Sequence, residues 1–325
     1  PTTRDLIDRA MAAEDAARAV AGVTNSGGAN ASWSLGGLVL VTSHGFSGAY
    51  LASRHTLSAT AVAGSGTGME RDYDGSSKTH LADLDDPELI GRTAGERAVK
   101  RLNPRKLPTQ KAHIVWDRRA AVSLLGHLSG AINGAAIARK TSFLKDKMGQ
   151  PIFPKGVRVT DDPTRKRGLG SKPFDGEGLA AAPLTIIEDG VLNHWFLDST
   201  TGRELGLASN GRAARGTGSP SPSSTNLTLL PGDRTRDALL KDIGTGLYVT
   251  DMIGSGVNGV TGDYSRGASG FWIENGELTF PVSEMTIAGN LLDMFARLQV
   301  ADDLIYRFSM NAPTVAVEDL TLAGK

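Results

Sequence analysis

Apolar residues at helical spacing open the chain and predict a first helix that runs to about residue 20. Thr2 or Thr3 is expected to supply its N-cap. The apolar face of this helix comprises Leu6, Ile7, Ala10 and Met11. The glycine- and asparagine-rich stretch 24–32 is then expected to break this helix.

Two strands and a second helix are predicted next. Residues 33–43 are rich in β-branched and aliphatic side chains, and residues 46–63 alternate small, polar and apolar positions as a half-buried partner strand does. Asp85 or Asp86 is expected to cap a helix that has Pro87 at its first position and ends near residue 102.

A glycine-rich helix is predicted over residues 124–140, most of which belong to a stretch without charge from 120 to 138. Its apolar side chains recur every fourth residue from Leu124. Glycine inside a helix costs about 0.5–1 kcal/mol relative to alanine, so we expect its glycines to mark the close approach of another backbone. They are Gly126, Gly130 and Gly134. A packed core helix fits better than a membrane span, because basic pairs flank both ends.

Two hairpins and two long loops are predicted in the rest of the chain. Asp189-Gly190 and Asn275-Gly276 are two-residue turn signals within apolar stretches 183–198 and 270–287. Residues 161–178 and 209–226 are predicted to be functional or mobile loops, and the second has too few apolar residues to pack.

Together these elements predict an α+β protein with two domains. Residues 1–110 form an N-terminal α/β part, and a proline-containing basic stretch, 103–111, ends it. Residues 111–325 form a larger C-terminal domain of mostly antiparallel, curved sheet around the glycine-rich helix. Its last predicted elements are a helix from an Asp233 cap to Gly244, a helix over 288–298 and a strand over 314–320.

Composition and charge exclude several functional classes. The chain has 325 residues, with 35 basic and 35 acidic side chains, which argues against a protein that coats nucleic acid or an anionic membrane. The absence of cysteine excludes disulfides and thiolate metal sites. The polar N-terminus lacks a signal-peptide pattern, so a cytoplasmic protein is predicted.

No familiar catalytic constellation emerges from the residues alone. The six histidines include no pair within one helical turn, so zinc would require distant ligands to converge. Gly254, Gly256 and Gly259 match a dinucleotide-binding fingerprint by letter, but no helix pattern follows them, which predicts a loop. Neither a P-loop GK[ST] nor a GxSxG elbow occurs in the sequence.

Two segments nevertheless resemble a known family. GHLSGAINGAAIARKTSFL and GLYVTDMIGSGVNGVTGDYSRGASGFWIENGELTFPVSEMTIAGNL, with MERDY at 69–73 and NPRKL at 103–107, are similar to the PmbA (TldE) branch of the TldD/PmbA family, proteins proposed to modulate DNA gyrase. The resemblance covers almost the whole chain. Family members begin well before this chain does, so the resemblance implies that the first part of the N-terminal domain is missing.

The resemblance also implies what the glycine-rich helix lacks. TldD-type subunits carry a HExxxH helix, in which two histidines bind a metal and the glutamate acts as general base. On this chain the ligand positions fall on Gly126 and Ala131, and the glutamate position falls on His127. A later ligand is missing too, since RFSMNAPTVAVEDL offers no cysteine. The resemblance therefore implies a metal-free subunit that requires no cofactor, with zinc only in a TldD-type partner.

Three functional hypotheses follow from the resemblance and from these departures. In the first, the chain shapes a channel for unfolded or extended peptides in a cytoplasmic TldD/TldE-type peptidase dimer, and it forms a homodimer when alone. In the second, it is itself a peptidase or hydrolase with an unrecognised site. In the third, it modulates DNA gyrase by binding. For the first, Asp263, Tyr264 and Arg266 are candidate substrate-binding residues in an exposed glycine-rich loop, 261–270, unless Arg266 simply pairs with Asp263.

Overall fold

The computed structural model describes residues 1–324, and their contacts divide the chain into two units. The first unit comprises Pro1–Leu38, Ala49–Arg105 and Arg167–Leu169. The second comprises Val39–Gly48, Lys106–Lys166 and the chain from Gly170 onward. Both contain helices and strands, so the predicted mixture of α and β structure is confirmed.

Two helices and most of a three-stranded sheet form the first unit. The helices are α1 (Thr3–Arg18) and α2 (Pro87–Lys100), and the strands in sheet order are β1 (Val23–Val41), β2 (Ser47–Ala63) and β3 (Glu70–Lys78). The Thr2 hydroxyl accepts the Asp5 N–H, and the Asp86 carboxylate accepts the Leu89 N–H, so both caps lie within the predicted alternatives. Small residues let the helices pack closely: a Cβ at Gly91 would lie 1.9 Å from the Ala13 carbonyl oxygen.

Helix α1 ends at Arg18, before residues 24–32, in agreement with the predicted end of the helix. Two strand features of this unit were missed. The predicted strand begins at Trp33, whereas β1 begins at Val23 and continues through residues 24–32. Their glycines fit the strand pairing: a Cβ at Gly27 would come within 2.7 Å of Thr60. In addition, β3 was not predicted, because its inner face is polar. Its buried Asp74 accepts a 2.8 Å hydrogen bond from Arg97 of α2, so apolar periodicity cannot reveal it.

A closed sheet forms the centre of the second unit. Its strands follow the order β13-β12-β11-β4-β16, and β13 also pairs with β16, so the sheet closes into a five-stranded barrel. The strands are β4 (Gln110–Trp116), β11 (Gly246–Ile253), β12 (Asp263–Glu274), β13 (Glu277–Asn290) and β16 (Val315–Ala323). Among the strand pairs described in this sheet, β4–β11 alone is parallel, and the short β14 (Gln299–Val300) extends the sheet from β16.

A second sheet in this unit is short-stranded and open. Its order is β15 (Met310–Asn311), β10 (Leu227–Leu229), β5 (Val159–Asp161), β6 (Leu184–Glu188) and β7 (Val191–Leu192). The predicted Asp189-Gly190 turn joins β6 to β7, and the predicted Asn275-Gly276 turn joins β12 to β13. All four of these turn residues have positive φ, as their turn type requires.

The predicted glycine-rich helix is two helices, α3 (Arg118–Ala131) and α4 (Gly134–Ala138). Asn133 separates them: its backbone is extended and pairs with Phe196, and its side-chain oxygen accepts the Ala135 N–H at 3.0 Å. The prediction of one continuous helix is therefore wrong. An asparagine within an apolar stretch acts here as a new N-cap, which is one of its most favoured roles.

Three further helices are α5 (Ser199–Glu204), α6 (Arg236–Ile243) and α7 (Leu291–Ala296). The first was not predicted, and the other two differ from their predictions mainly at their starts. Thr235, not Asp233, caps α6, and Gly244 ends it as predicted. Residues 288–290 continue β13, so α7 begins three residues later than predicted.

The loop 209–226 packs through polar groups, contrary to its prediction. It contains the small hairpin β8 (Ala213–Ala214) and β9 (Ser221–Pro222), and Arg212 within it is fully buried. The guanidinium of Arg212 donates to Asp161 Oδ2 at 2.5 Å and to the Ala182 carbonyl at 2.7 Å. Thr225 donates to the same carboxylate. Buried charge is tolerated because each group has its partners.

Within residues 1–324, no helix has both the length and the apolar character needed to cross a membrane.

Candidate functional site

A cavity of about 500 Å³ in the second unit lies beside the glycine-bearing face of α3; we call it the central cavity. Four segments line it: α3 with the residues after it, the loop between β11 and β12, the start of β12, and the start of α7. The lining residues are Gly126, His127, Gly130, Ala131, Ala136, Thr141, Phe143, Gly254, Ser255, Val257, Gly259, Arg266 and Leu291. Neither long loop, 161–178 or 209–226, contributes to this lining.

Two of the three helix glycines are not contact points. A Cβ at Gly130 would meet no atom within 4 Å, and one at Gly126 would meet only the Met310 sulfur at 3.9 Å. The predicted close approach is therefore wrong at both positions. It is correct at Gly134, where a Cβ would lie 2.6 Å from the Phe196 carbonyl oxygen. The missing side chains of Gly126 and Gly130 instead leave the space that the cavity occupies.

His127 lies between the two glycines, and its Nε2 atom is buried without a hydrogen-bond partner among the described residues. Burial lowers the pKa of the imidazole below its ordinary value, and the positive charge of Arg266 lowers it further. The ring is therefore a neutral imidazole near pH 7, which can donate from one nitrogen and accept at the other.

Tyr264 is buried, although it was predicted to lie in an exposed loop. Residues from Asp263 onward belong to β12, and the side chain of Tyr264 is only 2% exposed. Its hydroxyl finds no hydrogen-bond partner in the described part of the chain. Burial raises the pKa of this phenol to about 12, and the nearby Arg266 and Trp116 only partly offset that effect. The phenol therefore stays protonated at physiological pH.

Asp263 and Arg266, the other two predicted residues, lie on opposite faces of β12, because side chains alternate along a strand. Asp263 is exposed, and its carboxylate accepts from the Thr261 hydroxyl at 2.6 Å and from Asn290 Nδ2 at 3.3 Å. Arg266 is half-buried, lines the cavity, and donates from Nε to the Gly254 carbonyl at 2.8 Å. No ion pair joins it to Asp263 or to another carboxylate among residues 1–324. Only Arg266 of the three lines the central cavity.

The residues around the cavity do not fit a catalytic zinc. Such a site requires about three protein ligands and a water molecule, whereas Gly126 and Ala131 have no ligating side chain and His127 stands alone. Among the residues described, no three histidine, aspartate or glutamate side chains lie close enough together to hold a metal ion. The segment expected to carry the late ligand presents Met310 opposite Gly126.

Sequence reasoning missed much of this lining. The stretch 254–259 matches a dinucleotide fingerprint by letter, and the prediction that it forms a loop is confirmed. Its proximity to α3 had no signal in the sequence, because the loop and the helix are more than a hundred positions apart. Thr141 and Phe143 were missed for a similar reason, since the single predicted helix obscured the turn after α4.

Comparison with protein families gives matches over nearly the whole chain. Residues 109–324 match the PmbA/TldA metallopeptidase C-terminal domain, and residues 1–102 match the PmbA/TldA metallopeptidase central domain. The Metalloprotease PmbA of Escherichia coli O157:H7 is 39% identical over 323 residues, which cover 99% of this chain and 70% of that protein. A Metalloprotease PmbA homolog of Haemophilus influenzae is 39% identical over 320 residues, covering 97% of this chain and 69% of that protein.

Solved structures support the same relationship. A proposed modulator of a DNA gyrase from Thermotoga maritima superposes with a TM-score of 0.92 at 26% identity, covering 99% of this chain and 75% of that one. A proposed modulator of DNA gyrase from Bacteroides thetaiotaomicron superposes with a TM-score of 0.87 at 29% identity, covering 100% of this chain and 72% of that one. TldE from Thermococcus kodakarensis superposes with a TM-score of 0.89 at 20% identity, covering 100% of this chain and 75% of that one, which establishes similarity of fold alone.

Proposed function

This chain belongs to the PmbA/TldD metallopeptidase family, and from that membership we propose that it is a metal-free, PmbA/TldE-like subunit. In this proposal it shapes a peptide-binding channel and presents an extended peptide to a TldD-type partner. The zinc and the bond cleavage belong to that partner. The complex works in the cytoplasm, in proteolysis or peptide maturation, and the chain forms a homodimer when the partner is absent.

One observation carries the proposal: the position expected to hold a metal is an open cavity bordered by residues that cannot ligate one. Gly126 and Ala131 lack donor atoms, and His127 supplies a single imidazole. The relatives are named metalloproteases, so the family chemistry needs a metal that this chain's residues do not hold. Supply of the metal by a second subunit resolves that disagreement.

Two further features support a peptide as the ligand. The second, short-stranded sheet of the second unit has β15 at one end of its strand order, and an extended peptide can pair with such an edge through main-chain hydrogen bonds. The central cavity combines apolar walls with a few polar groups, which is typical of sites for small ligands or side chains. Balanced charge disfavours nucleic acid as the ligand.

The proposal can be tested by metal analysis and a cleavage assay. We expect the purified chain to contain no stoichiometric zinc and to cleave no unfolded peptide, with or without added zinc. Addition of a TldD-type subunit should give chelator-sensitive cleavage above the level of that subunit alone. Stoichiometric zinc, or chelator-sensitive cleavage by this chain alone, would overturn the proposal.

His127 favours a second candidate, a metal-independent hydrolase. Its imidazole is neutral and its buried Nε2 is free, which are properties of a general base. Cleavage by the isolated chain that resists chelators and is lost in His127→Gln would support this second candidate. The same assay therefore separates the two functions.

A further inference from the structure

The described side chains that line the central cavity include one with a positive charge and none with a negative charge. Among the described residues that line it, none is acidic, and Arg266 is the only residue with a permanent charge. The remaining polar side chains are the neutral His127 and the hydroxyls of Thr141 and Ser255. A half-enclosed space with an uncompensated positive charge favours an anionic ligand, because low-dielectric walls strengthen the attraction.

The guanidinium of Arg266 is held in place while part of it remains free. Its Nε donates to the Gly254 carbonyl at 2.8 Å, which ties the side chain to the loop after β11. Neither of its two Nη atoms is hydrogen-bonded to another described residue. A guanidinium fixed in this way can donate two parallel hydrogen bonds to a carboxylate without losing much further conformational freedom.

Apolar groups surround this charge and set the size of the ligand. Phe143, Val257 and Leu291 line the same cavity, and Gly126 and Gly130 leave room on the α3 side. A volume of about 500 Å³ can hold one or two residues of a peptide, whereas a nucleic-acid strand needs a longer basic groove.

We propose that the central cavity binds a peptide carboxylate, with Arg266 as its anchor and His127 as a hydrogen-bonding neighbour. This inference rests on the proposed function in peptide binding and adds a preference to it. Two sources share this chemistry: the C-terminal α-carboxylate of the peptide and the side chain of an aspartate or glutamate.

Binding of three labelled peptides to the isolated chain tests the proposal. Each is the same alanine- and serine-based hexapeptide with an N-terminal fluorophore: the first ends in a free acid, the second in an amide, and the third in an amide with one internal glutamate. We expect fluorescence anisotropy to show about tenfold tighter binding of a carboxylate-bearing peptide than of the amide. Preference for the first peptide identifies the α-carboxylate, and preference for the third identifies the side chain.

Three variants connect the preference to the cavity. Arg266→Gln should remove it, whereas Arg203→Gln removes an equal charge from an exposed position outside the cavity and should retain it. Gly130→Leu should abolish binding by filling space that no atom occupies, and it should still fold because its Cβ meets no neighbour. Thermal unfolding checks that each variant is folded.

Equal binding of the three peptides, absence of binding at millimolar concentration, or a preference that survives in folded Arg266→Gln would overturn the inference. These binding measurements do not involve cleavage or zinc. The carboxylate inference can therefore fail while the metal-free assignment stands, and the metal-free assignment can fail while the carboxylate preference stands.

Discussion

The rings of His127 and Tyr264 meet edge to face, with centroids 5.9 Å apart and planes at 81°. This contact joins α3 to the start of β12, and thus the cavity-lining helix to the barrel. It also places two unpartnered polar atoms, His127 Nε2 and the Tyr264 hydroxyl, in one region of the second unit. The contact is worth about 0.5–1.5 kcal/mol beyond the area it buries.

Removal of the Tyr264 hydroxyl should not weaken the fold. The hydroxyl is buried without a partner, so Tyr264→Phe is expected to raise the free energy of unfolding by about 1 kcal/mol. Tyr248→Phe is the matched control, because that hydroxyl donates to Asp117 Oδ2 at 2.9 Å and its loss should cost about 1–3 kcal/mol. Urea denaturation measures both, and a reversed order of stabilities would contradict the assignment of the Tyr264 hydroxyl as unpartnered.

The helix glycines should respond in opposite directions to the same substitution. Gly126→Ala introduces a Cβ with room to spare in mid-helix and should stabilise the protein by about 0.5–1 kcal/mol. Gly134→Ala forces a Cβ to within 2.6 Å of the Phe196 carbonyl and should destabilise it by about 1–3 kcal/mol. Thermal and urea unfolding of the two variants give the comparison. Destabilisation by both would mean that the backbone approaches α3 at Gly126 as well.

His127 should make stability depend on pH below its ordinary pKa of 6.5. Burial and Arg266 lower its pKa in the native state, while the neighbouring Tyr264 remains uncharged. Between the two pKa values the unfolded state binds more protons, so the free energy of unfolding falls as the pH falls from 6.5 towards the native pKa. Below the native pKa this contribution stops changing.

The His127 contribution appears as a difference between two proteins. We expect wild type to lose stability relative to His127→Gln as the pH falls through this window. His55 and His194 also have lowered pKa values, but they are present in both proteins and cancel. His44→Gln, at an exposed turn, controls for the loss of a histidine. A pH-independent difference between wild type and His127→Gln would show that the imidazole titrates alike in both states.

A buried and an exposed ion pair of the second unit should contribute very differently to the free energy of unfolding. Arg212→Met leaves the fully buried Asp161 without its guanidinium partner and is expected to cost about 3–5 kcal/mol. Arg158→Met breaks an exposed pair with Glu188 and should cost less than about 1 kcal/mol. The measurement is urea denaturation at neutral pH. Similar losses for both variants would contradict the structural role assigned to Arg212.

Elements with a local signal were predictable from the sequence. The caps of α1 and α2 depend on Thr2 and Asp86, whose side chains bond to residues only three positions away. The turn at Asn275-Gly276 is likewise decided by two residues that tolerate positive φ. At each of these places the physical cause lies within a few positions along the chain.

Features that depend on distant partners were not predictable. The strand β3 buries Asp72 and Asp74 towards arginines of another element, so its polar inner face looks like a loop. Gly126 and Gly134 are alike in sequence, yet one faces empty space and the other a carbonyl oxygen. Tyr264 was misplaced because neighbouring glycines suggested a loop, whereas pairing with β13 makes it a strand. Spacing alone does not contain this information.

Barrel closure also determines the order in which the second unit can fold. Lys111 of β4 donates to the Thr321 hydroxyl of β16, 210 positions further along the chain. Contacts so far apart in sequence form late, because a long loop must close first. Until β16 is synthesised, β4 and β13 each have an unpaired edge, and edges of this kind invite association with other chains. The second unit is therefore expected to be most prone to aggregation in the interval before β16 docks.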